Sequence, residues 1–166
     1  MNKGLTVIDN KALADLSKTA QSLPRLRKNY NIHPQLDDPV QRLFNAMEPA
    51  TYVRPHRHPS DDRWEFFQIV SGRAAVLTFD QQGTVRDKVV LSQSGPNIAI
   101  EIPGNEWHTI VSLQPGTVLF EIKQGPYQPL SDKDFALWAP EEGVKTVATF
   151  VRWFKDAHPG DSCPQF

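Results

Sequence analysis

Residues 40 to 124 contain eight strand-length segments with no helix-length pattern between them, and this run constrains the fold more than any other feature. Gly72, Gly83 and Gly116 lie between segments, where tight turns often need a positive φ. Strands that follow one another without helices cannot form βαβ units, so the sheets are predicted to be antiparallel. Eight such strands favour a barrel or a sandwich. The segments are VQRLFNAM, TYVRPHRH, WEFFQIVSG, RAAVLTFD, TVRDKVVLS, NIAIEI, WHTIVSL and TVLFEIKQG.

Helical patterns lie on both sides of this β-rich centre. Asp9 is predicted to cap a helix that ends at Pro24 and whose apolar residues share one face. Turn-forming residues predict an ordered loop over 25–39. The chain therefore reads as one domain in three parts: an N-terminal helix and ordered loop packed on the barrel (1–39), a barrel (40–130) and a C-terminal helical extension (131–166).

The C-terminal extension has two helical signals. Ser131 and Asp134 are spaced like a capping box. Apolar residues then recur every three or four positions, which predicts a helix that covers the barrel, with a dimer contact as the alternative. They are Val144, Val147, Val151 and Phe154.

Composition narrows the classes of protein. The 166 residues are 39% apolar, which is enough to bury a core without disulfides, and the single Cys163 has no partner within the chain. The formal charge of −1 predicts no nucleic-acid partner. Since no apolar run reaches the length of a membrane span or a signal peptide, we expect a cytoplasmic protein that does not insert into membranes.

Three histidines and a glutamate predict a metal site. His56 and His58 are two residues apart, so in a strand both imidazoles project from one face. Glu65 begins the next segment, where a buried carboxylate would be costly without a cation beside it. His108 follows a Pro-Gly turn. Imidazole and carboxylate ligands suit one divalent ion (Zn, Fe, Mn or Ni), whose identity these residues leave undetermined.

Asp62 competes with Glu65 for the carboxylate position. It lies in the polar segment PSDDR, which is typical of a solvated loop, whereas Glu65 would start a strand. We therefore predict Glu65 and keep Asp62 as the alternative.

These residues resemble the two motifs of the cupin superfamily. His56, His58, Glu65 and Gly72 match the first motif, including the six-residue gap between the glutamate and the glycine, while Pro103 and His108 keep the spacing of the second. The gap between His58 and Glu65 is longer than in the motif, and Asn105 replaces a turn glycine. Asn also tolerates a positive φ, so this replacement affects the geometry of the turn more than the metal ligands. The resemblance implies an all-β core, an antiparallel double-stranded β-helix (the cupin or jelly-roll barrel), with helices at both ends.

A closer likeness extends over most of residues 5 to 130. The segments RKNYNIHPQLDDPVQRLFNAMEPATYVRPHRH and EIKQGPYQP resemble the WbuC family of cupin-fold metalloproteins, whose genes occur in O-antigen clusters. This resemblance implies a fold, a metal and a link to surface polysaccharide metabolism; it does not imply a reaction. It also implies a homodimer.

Other polar residues are candidates for contact with a substrate. Asn29, Asn31 and His33 alternate, which in an extended segment places them on one side. His33 and Tyr127 are the candidate catalytic residues for proton transfer. The candidate substrate-binding residues are Asn29, Asn31, Arg42, Arg54 and Lys123.

The predicted function is a metal-dependent enzyme acting on a small polar or sugar-derived molecule. A metal with open positions could polarise a carbonyl or hydroxyl group, or bind dioxygen. The polysaccharide link places isomerase or epimerase chemistry slightly ahead of a dioxygenase. A non-catalytic protein that binds a small molecule or sugar through the same barrel is the alternative from another class.

Overall fold

The computed structural model describes residues 4–165. Within these residues, eight strands, two α-helices and one 3₁₀ turn follow one another. They are α1 (Asn10–Ser22), β1 (Arg27–Asn31), β2 (Val40–Met47), β3 (Glu65–Ser71), β4 (Arg73–Phe79), β5 (Val85–Ser92), β6 (Ala99–Ile102), β7 (Trp107–Ser112), β8 (Thr117–Gln124), the 3₁₀ turn (Asp132–Asp134) and α2 (Val147–Asp156). No helix in this described part of the chain has the length and apolar content needed to cross a membrane.

The strands form two antiparallel sheets. The larger sheet has the order β1-β2-β8-β3-β6, and the smaller has the order β5-β4-β7. Neighbours that are distant in sequence, such as β2 and β8, pair over their whole length. The architecture is the predicted double-stranded β-helix, or jelly-roll barrel, with a helix near each end of the chain.

Gly72 connects the two sheets, because it separates β3 of the larger sheet from β4 of the smaller one. Its φ of +74° is in the left-handed region, and a Cβ added there would collide with the backbone of Thr117. Gly83 and Gly116 also have positive φ, as the turn pattern predicted.

Three apolar clusters hold the layers together. The barrel core lies between the sheets and includes Phe67, Val76 and Leu119. Alternate residues of β4 face the other way, so Leu77 and Phe79 pack outside the barrel against the C-terminal segment. This arrangement explains why β4 is apolar on both faces.

The two helices cover opposite sheets. Asp9 caps α1 by accepting a hydrogen bond from the backbone N–H of Ala12 at 2.8 Å, as predicted. Leu16 and Ala20 of α1 pack against Ala46 and Val118 of the larger sheet. α2 packs against the smaller sheet instead, so each sheet has a covered outer face.

Three local predictions were wrong. Residues 51–58 form an extended segment rather than a strand, because Pro55 has no N–H and the backbone partners on the two sides belong to different parts of the chain. Part of the predicted loop over 25–39 is a strand, β1, paired with β2 at the sheet edge. In the C-terminal extension, the capping box of Ser131 and Asp134 starts only one 3₁₀ turn, and α2 begins three residues after Val144.

An ion-pair cluster ties β1 to the C-terminal segment. Arg25 donates two hydrogen bonds of 2.8 Å to Glu142, and Arg27 donates one of 2.5 Å. Burial raises the pKa of Glu142, but the hydrogen bonds from Arg25 and the charge of Arg27 outweigh it and hold the pKa below its usual value of 4.5.

Glu142→Gln is expected to destabilise the protein more at pH 7 than at pH 3. A carboxyl whose pKa is lower in the folded state than in the unfolded state stabilises the fold at pH values above its unfolded-state pKa. This contribution is lost as the pH falls through the folded-state pKa. Because Glu142 is 38% exposed, the expected loss is below about 1 kcal/mol. Urea unfolding at both pH values measures it, with the exposed neighbour Glu141→Gln as control. An equal loss at both pH values would contradict the ion-pair explanation.

Candidate metal centre

Four side chains meet at one end of the barrel interior. One ligand atom from each of His56, His58, Glu65 and His108 lies within 4.8 Å of the others. Glu65 is the first residue of β3 and His108 the second residue of β7, so each sheet provides one of them. The structure therefore brings together the four residues that the sequence predicted as metal ligands.

Backbone hydrogen bonds position the two remaining histidines, although they are not in a strand. The N–H of His56 donates to the carbonyl of His108 at 3.1 Å, and the N–H of His108 donates back at 2.9 Å. On the other side, the N–H of Arg57 donates to the carbonyl of Asp134 at 3.0 Å. The segment is thus held between β7 and the 3₁₀ turn.

Two imidazoles are oriented by backbone carbonyls. Nδ1 of His56 lies 3.0 Å from the carbonyl oxygen of Arg54, and Nδ1 of His108 lies 2.8 Å from that of Glu106. Since a carbonyl oxygen can only accept, each Nδ1 carries the hydrogen. In the neutral ring, Nε2 then has a free lone pair, as a metal ligand requires.

Glu65 lies at the centre of the group and is 3% exposed. Its Oε1 is 3.0 Å from Nε2 of His58, and its Oε2 is 3.1 Å from Nε2 of His108. Burial raises the pKa of Glu65, but the charge of Lys123 and the contact with His108 outweigh this and hold the pKa well below its usual range. The carboxylate is therefore ionised.

His56 has the matching protonation state. Burial, together with the neighbouring His108, lowers the pKa of His56 to about 3, so its imidazole is neutral. Nε2 of His58 is buried and faces the same carboxylate, 3.0 Å from Oε1 of Glu65. An ionised carboxylate surrounded by imidazole nitrogens is a donor set that a divalent cation completes, so the four residues fit a metal ion.

Asp62 is separate from this group. It is exposed and accepts a hydrogen bond from Ser60, and its carboxylate is not among the clustered ligand atoms. Asn105, at the motif's glycine position, has a φ of +63°, so the turn before His108 keeps the left-handed residue that the motif requires.

A second polar group, formed by Lys123, Glu121 and Asn45, lies behind Glu65, and the sequence prediction missed Glu121 and Asn45. Lys123 Nζ is 3.0 Å from Glu65 Oε1 and 2.6 Å from Glu121 Oε1, and Glu121 accepts a hydrogen bond from Asn45. Burial lowers the pKa of Lys123, but Glu121 and Glu65 outweigh it and raise the pKa. Lys123 is therefore charged. The missed signal was Glu121 itself, a carboxylate inside the otherwise apolar segment TVLFEI.

Two cavities adjoin the candidate ligands. The outer cavity has a volume of about 200 Å³, and loop residues such as Arg63, Trp64 and Tyr127 form its wall. The inner cavity, about 160 Å³, extends into the barrel. Its lining residues are Arg27, Asn29, Asn45, Met47, Val53, His56, Glu65, Phe67, His108, Ile110, Glu121 and Lys123.

Three of the predicted catalytic or substrate-binding residues line these cavities. Tyr127 lines the outer cavity, Asn29 lines the inner cavity, and Lys123 lines both. Their contact with a substrate remains a prediction.

The other four predicted catalytic or substrate-binding residues line neither cavity. Neither cavity lining includes Asn31, His33, Arg42 or Arg54 among the described residues. β1 ends at Asn31, so the strand alternation that was predicted to place His33 beside the two asparagines stops before His33. His33 is buried, and its Nδ1 accepts a hydrogen bond from the backbone N–H of Arg42 at 3.0 Å.

Arg54 is held by the C-terminal segment instead of facing the candidate ligands. Its guanidinium donates a hydrogen bond of 3.2 Å to the carbonyl of Ala136 and lies over the ring of Phe135, 5.2 Å from the centroid. These contacts fix the chain just before His56.

Comparison with family models assigns residues 8–91, slightly more than half of the chain, to a domain of unknown function, DUF6016. The chain belongs to the DUF6016 family. No curated protein matches this DUF6016 chain.

Solved structures share the fold of this DUF6016 chain at low sequence identity. SPY1581 of Streptococcus pyogenes, a conserved protein of unknown function, is 9% identical with a TM-score of 0.51, and the match covers 76% of this chain and 92% of that one. A cupin superfamily protein of Desulfitobacterium hafniense DCB-2, DSY2733, is 16% identical (66% and 86% covered, TM-score 0.49). KdgF of Halomonas sp. is 18% identical (64% and 85% covered, TM-score 0.48). At such identities the likeness concerns the fold alone.

Proposed function

We propose that the chain binds one divalent metal ion through His56, His58, Glu65 and His108 and is a metal-dependent enzyme acting on a small polar molecule. The observation that carries the proposal is the convergence of four ligand atoms within 4.8 Å in the barrel interior. The carbonyl-oriented imidazoles and the ionised Glu65 support it, because imidazole nitrogens and a carboxylate are ligands that divalent ions bind.

Isomerase or epimerase chemistry is the first candidate for the reaction. When bound, the metal would polarise a carbonyl or hydroxyl group of the substrate. Tyr127, which lines the outer cavity, is the residue that we propose for proton transfer. His33 lies outside both cavity linings, so we assign it no catalytic role. The WbuC-like segments support a sugar-derived substrate connected with surface polysaccharide.

A dioxygenase is the second candidate, and one wall of the inner cavity favours it. Met47, Val53, Phe67 and Ile110 form an apolar surface beside the candidate ligands. Oxygen chemistry needs iron and a site with little water, so iron in the purified protein together with oxygen uptake would favour this reaction. Zinc or manganese without oxygen uptake would favour the isomerase.

Removing the metal is expected to lower the thermal stability of the wild-type protein. A ligand that binds only the folded state stabilises it by about 4 kcal/mol when its free concentration is a thousand times Kd. Thermal unfolding of protein purified anaerobically without an affinity tag, with and without chelator, measures the effect.

Two variants show whether the effect belongs to this site. His158→Ala, an exposed histidine far along the chain, should respond to chelator like the wild type. His56→Ala should unfold at the same temperature with and without chelator. Identical unfolding curves for wild-type protein in both conditions would contradict the proposed metal site.

A further inference from the structure

The inner cavity has two walls of different chemistry. Met47, Val53, Phe67 and Ile110 form the apolar wall. The polar wall consists of Asn29, Asn45, Glu121 and Lys123, which bring hydrogen-bond donors, acceptors and charges into the barrel. A molecule that fills this space therefore needs a short carbon skeleton with polar groups along one side.

The charges around the inner cavity are fixed by contacts. Glu121 is 6% exposed and pairs with Lys123 at 2.6 Å, while Lys123 also reaches Glu65 at 3.0 Å. Arg27 also lines the cavity, but its guanidinium donates outside the lining, to Glu142 at 2.5 Å and to the carbonyl of Tyr52. Arg25, which shares Glu142, is 63% exposed, so water solvates its charge. The cavity wall thus presents one ammonium group and two carboxylates that are not paired with residues outside it.

A divalent ion at the proposed site changes the net charge around the inner cavity. Its two positive charges, added to one ammonium and two carboxylates, leave a single net positive charge around the cavity. Buried charge without a counterion is costly, so a ligand carrying one negative charge is the best complement. A neutral ligand leaves the positive charge uncompensated, and a dianion introduces an excess of negative charge.

Volume limits the size of that ligand. A cavity of about 160 Å³ has space for about five water molecules at the volume of roughly 30 Å³ that each occupies in the liquid. This volume suits a skeleton of about three or four carbons and is far too small for a nucleotide-linked sugar.

We propose that the inner cavity binds one small monoanion, a hydroxylated carboxylate of the sugar-acid type, and that Glu121 determines this charge preference. The inference rests on the proposed metal site, since the charge balance includes the ion. Glu121 acts as a specificity-determining residue because its carboxylate cancels one of the positive charges that would otherwise attract a dianion.

Three probes with one carbon skeleton test the preference. Glycerol, glycerate and tartronate all have three carbons and carry no, one and two carboxylates. In calorimetric titrations of the zinc-loaded protein at pH 7, glycerate should bind at least about tenfold more tightly than either of the others, a modest effect for one unit charge at close range. Zinc content is measured before and after each titration.

Substitution of Glu121 should reverse the order of affinity for glycerate and tartronate. Glu121→Gln removes one negative charge with little change of shape, so tartronate should bind about tenfold more tightly than glycerate. The control Glu101→Gln, on the exposed side of β6, should keep the wild-type order. If Glu121→Gln does not fold, Lys123→Gln serves instead, and removing its positive charge should make glycerol the preferred probe.

The outcomes separate this inference from the proposed function. A protein that takes up neither zinc nor another divalent ion overturns the metal site. A protein that holds zinc but binds the three probes equally, or a folded Glu121→Gln variant that keeps the wild-type order, overturns the inference about charge and leaves the metal site standing.

Discussion

His108→Ala is expected to lower the affinity for a divalent ion by more than the ~10- to 100-fold that follows the loss of a residue behind the ligands. His108 is 3% exposed, its Nδ1 is held by the carbonyl of Glu106, and its Nε2 faces Glu65 at 3.1 Å. Alanine removes the nitrogen and leaves Glu65 without one of its neighbours. Competition with a chromophoric chelator measures the affinity.

The control for this substitution is His158→Ala, which removes an exposed histidine far from the site. Its affinity should equal that of the wild type. His108→Ala protein with wild-type affinity would contradict the assignment of His108 as a ligand, provided that circular dichroism shows an intact fold.

Phe79→Ala is expected to destabilise the protein by about 3–5 kcal/mol. Phe79 is 1% exposed at the end of β4, and its ring centroid lies 4.9 Å from that of Trp138, 5.8 Å from Trp153 and 6.1 Å from Phe154. Alanine would leave a cavity where the C-terminal segment joins the smaller sheet. Urea denaturation measures the free energy of unfolding.

Leu137→Ala is the matched control, since Leu137 lies beside Trp138 but is 87% exposed. Its effect should stay within about 0.5 kcal/mol. A loss below about 1 kcal/mol for Phe79→Ala would mean that the aromatic cluster contributes little to holding the C-terminal segment on the barrel.

The sequence predicted the strands and ligands whose signals are local. The interval from Glu65 to Gly72 helped to identify Glu65 as a candidate ligand, because it spans one strand, β3, and the turn that follows it. The expectation that Asn105 tolerates a positive φ was confirmed at +63°, since backbone sterics act on a single residue. Turn chemistry and strand periodicity require no knowledge of distant partners.

Features that depend on distant partners were not predictable. β1 is an edge strand whose residues are mostly exposed, so RKNYN has no alternation of buried and exposed positions. The segment TYVRPHRH looks like a strand by composition, but its backbone partners at 108 and 134 are unrelated in sequence. Asn45 meets Glu121 only because of the register between β2 and β8, in which Leu43 pairs with Glu121.

Strand alternation explains which of the residues predicted to bind substrate lie near the candidate metal centre. Lys123 is close because β8 alternates, and Glu121 and Lys123 both face the barrel interior. Arg42 falls on the other alternation of β2, between Gln41 and Leu43, which are buried. Periodicity separates the two faces of a strand, but only the assembled barrel identifies the face that lines the cavity.

Metal content of the wild-type protein tests the central claim most directly. Elemental analysis of protein purified anaerobically and without an affinity tag should find about one divalent ion per chain, bound by the four clustered ligands. His56→Ala protein, prepared in the same way, should contain far less. Wild-type protein that neither contains nor takes up a divalent ion, or a His56→Ala variant with the full complement, would contradict the account.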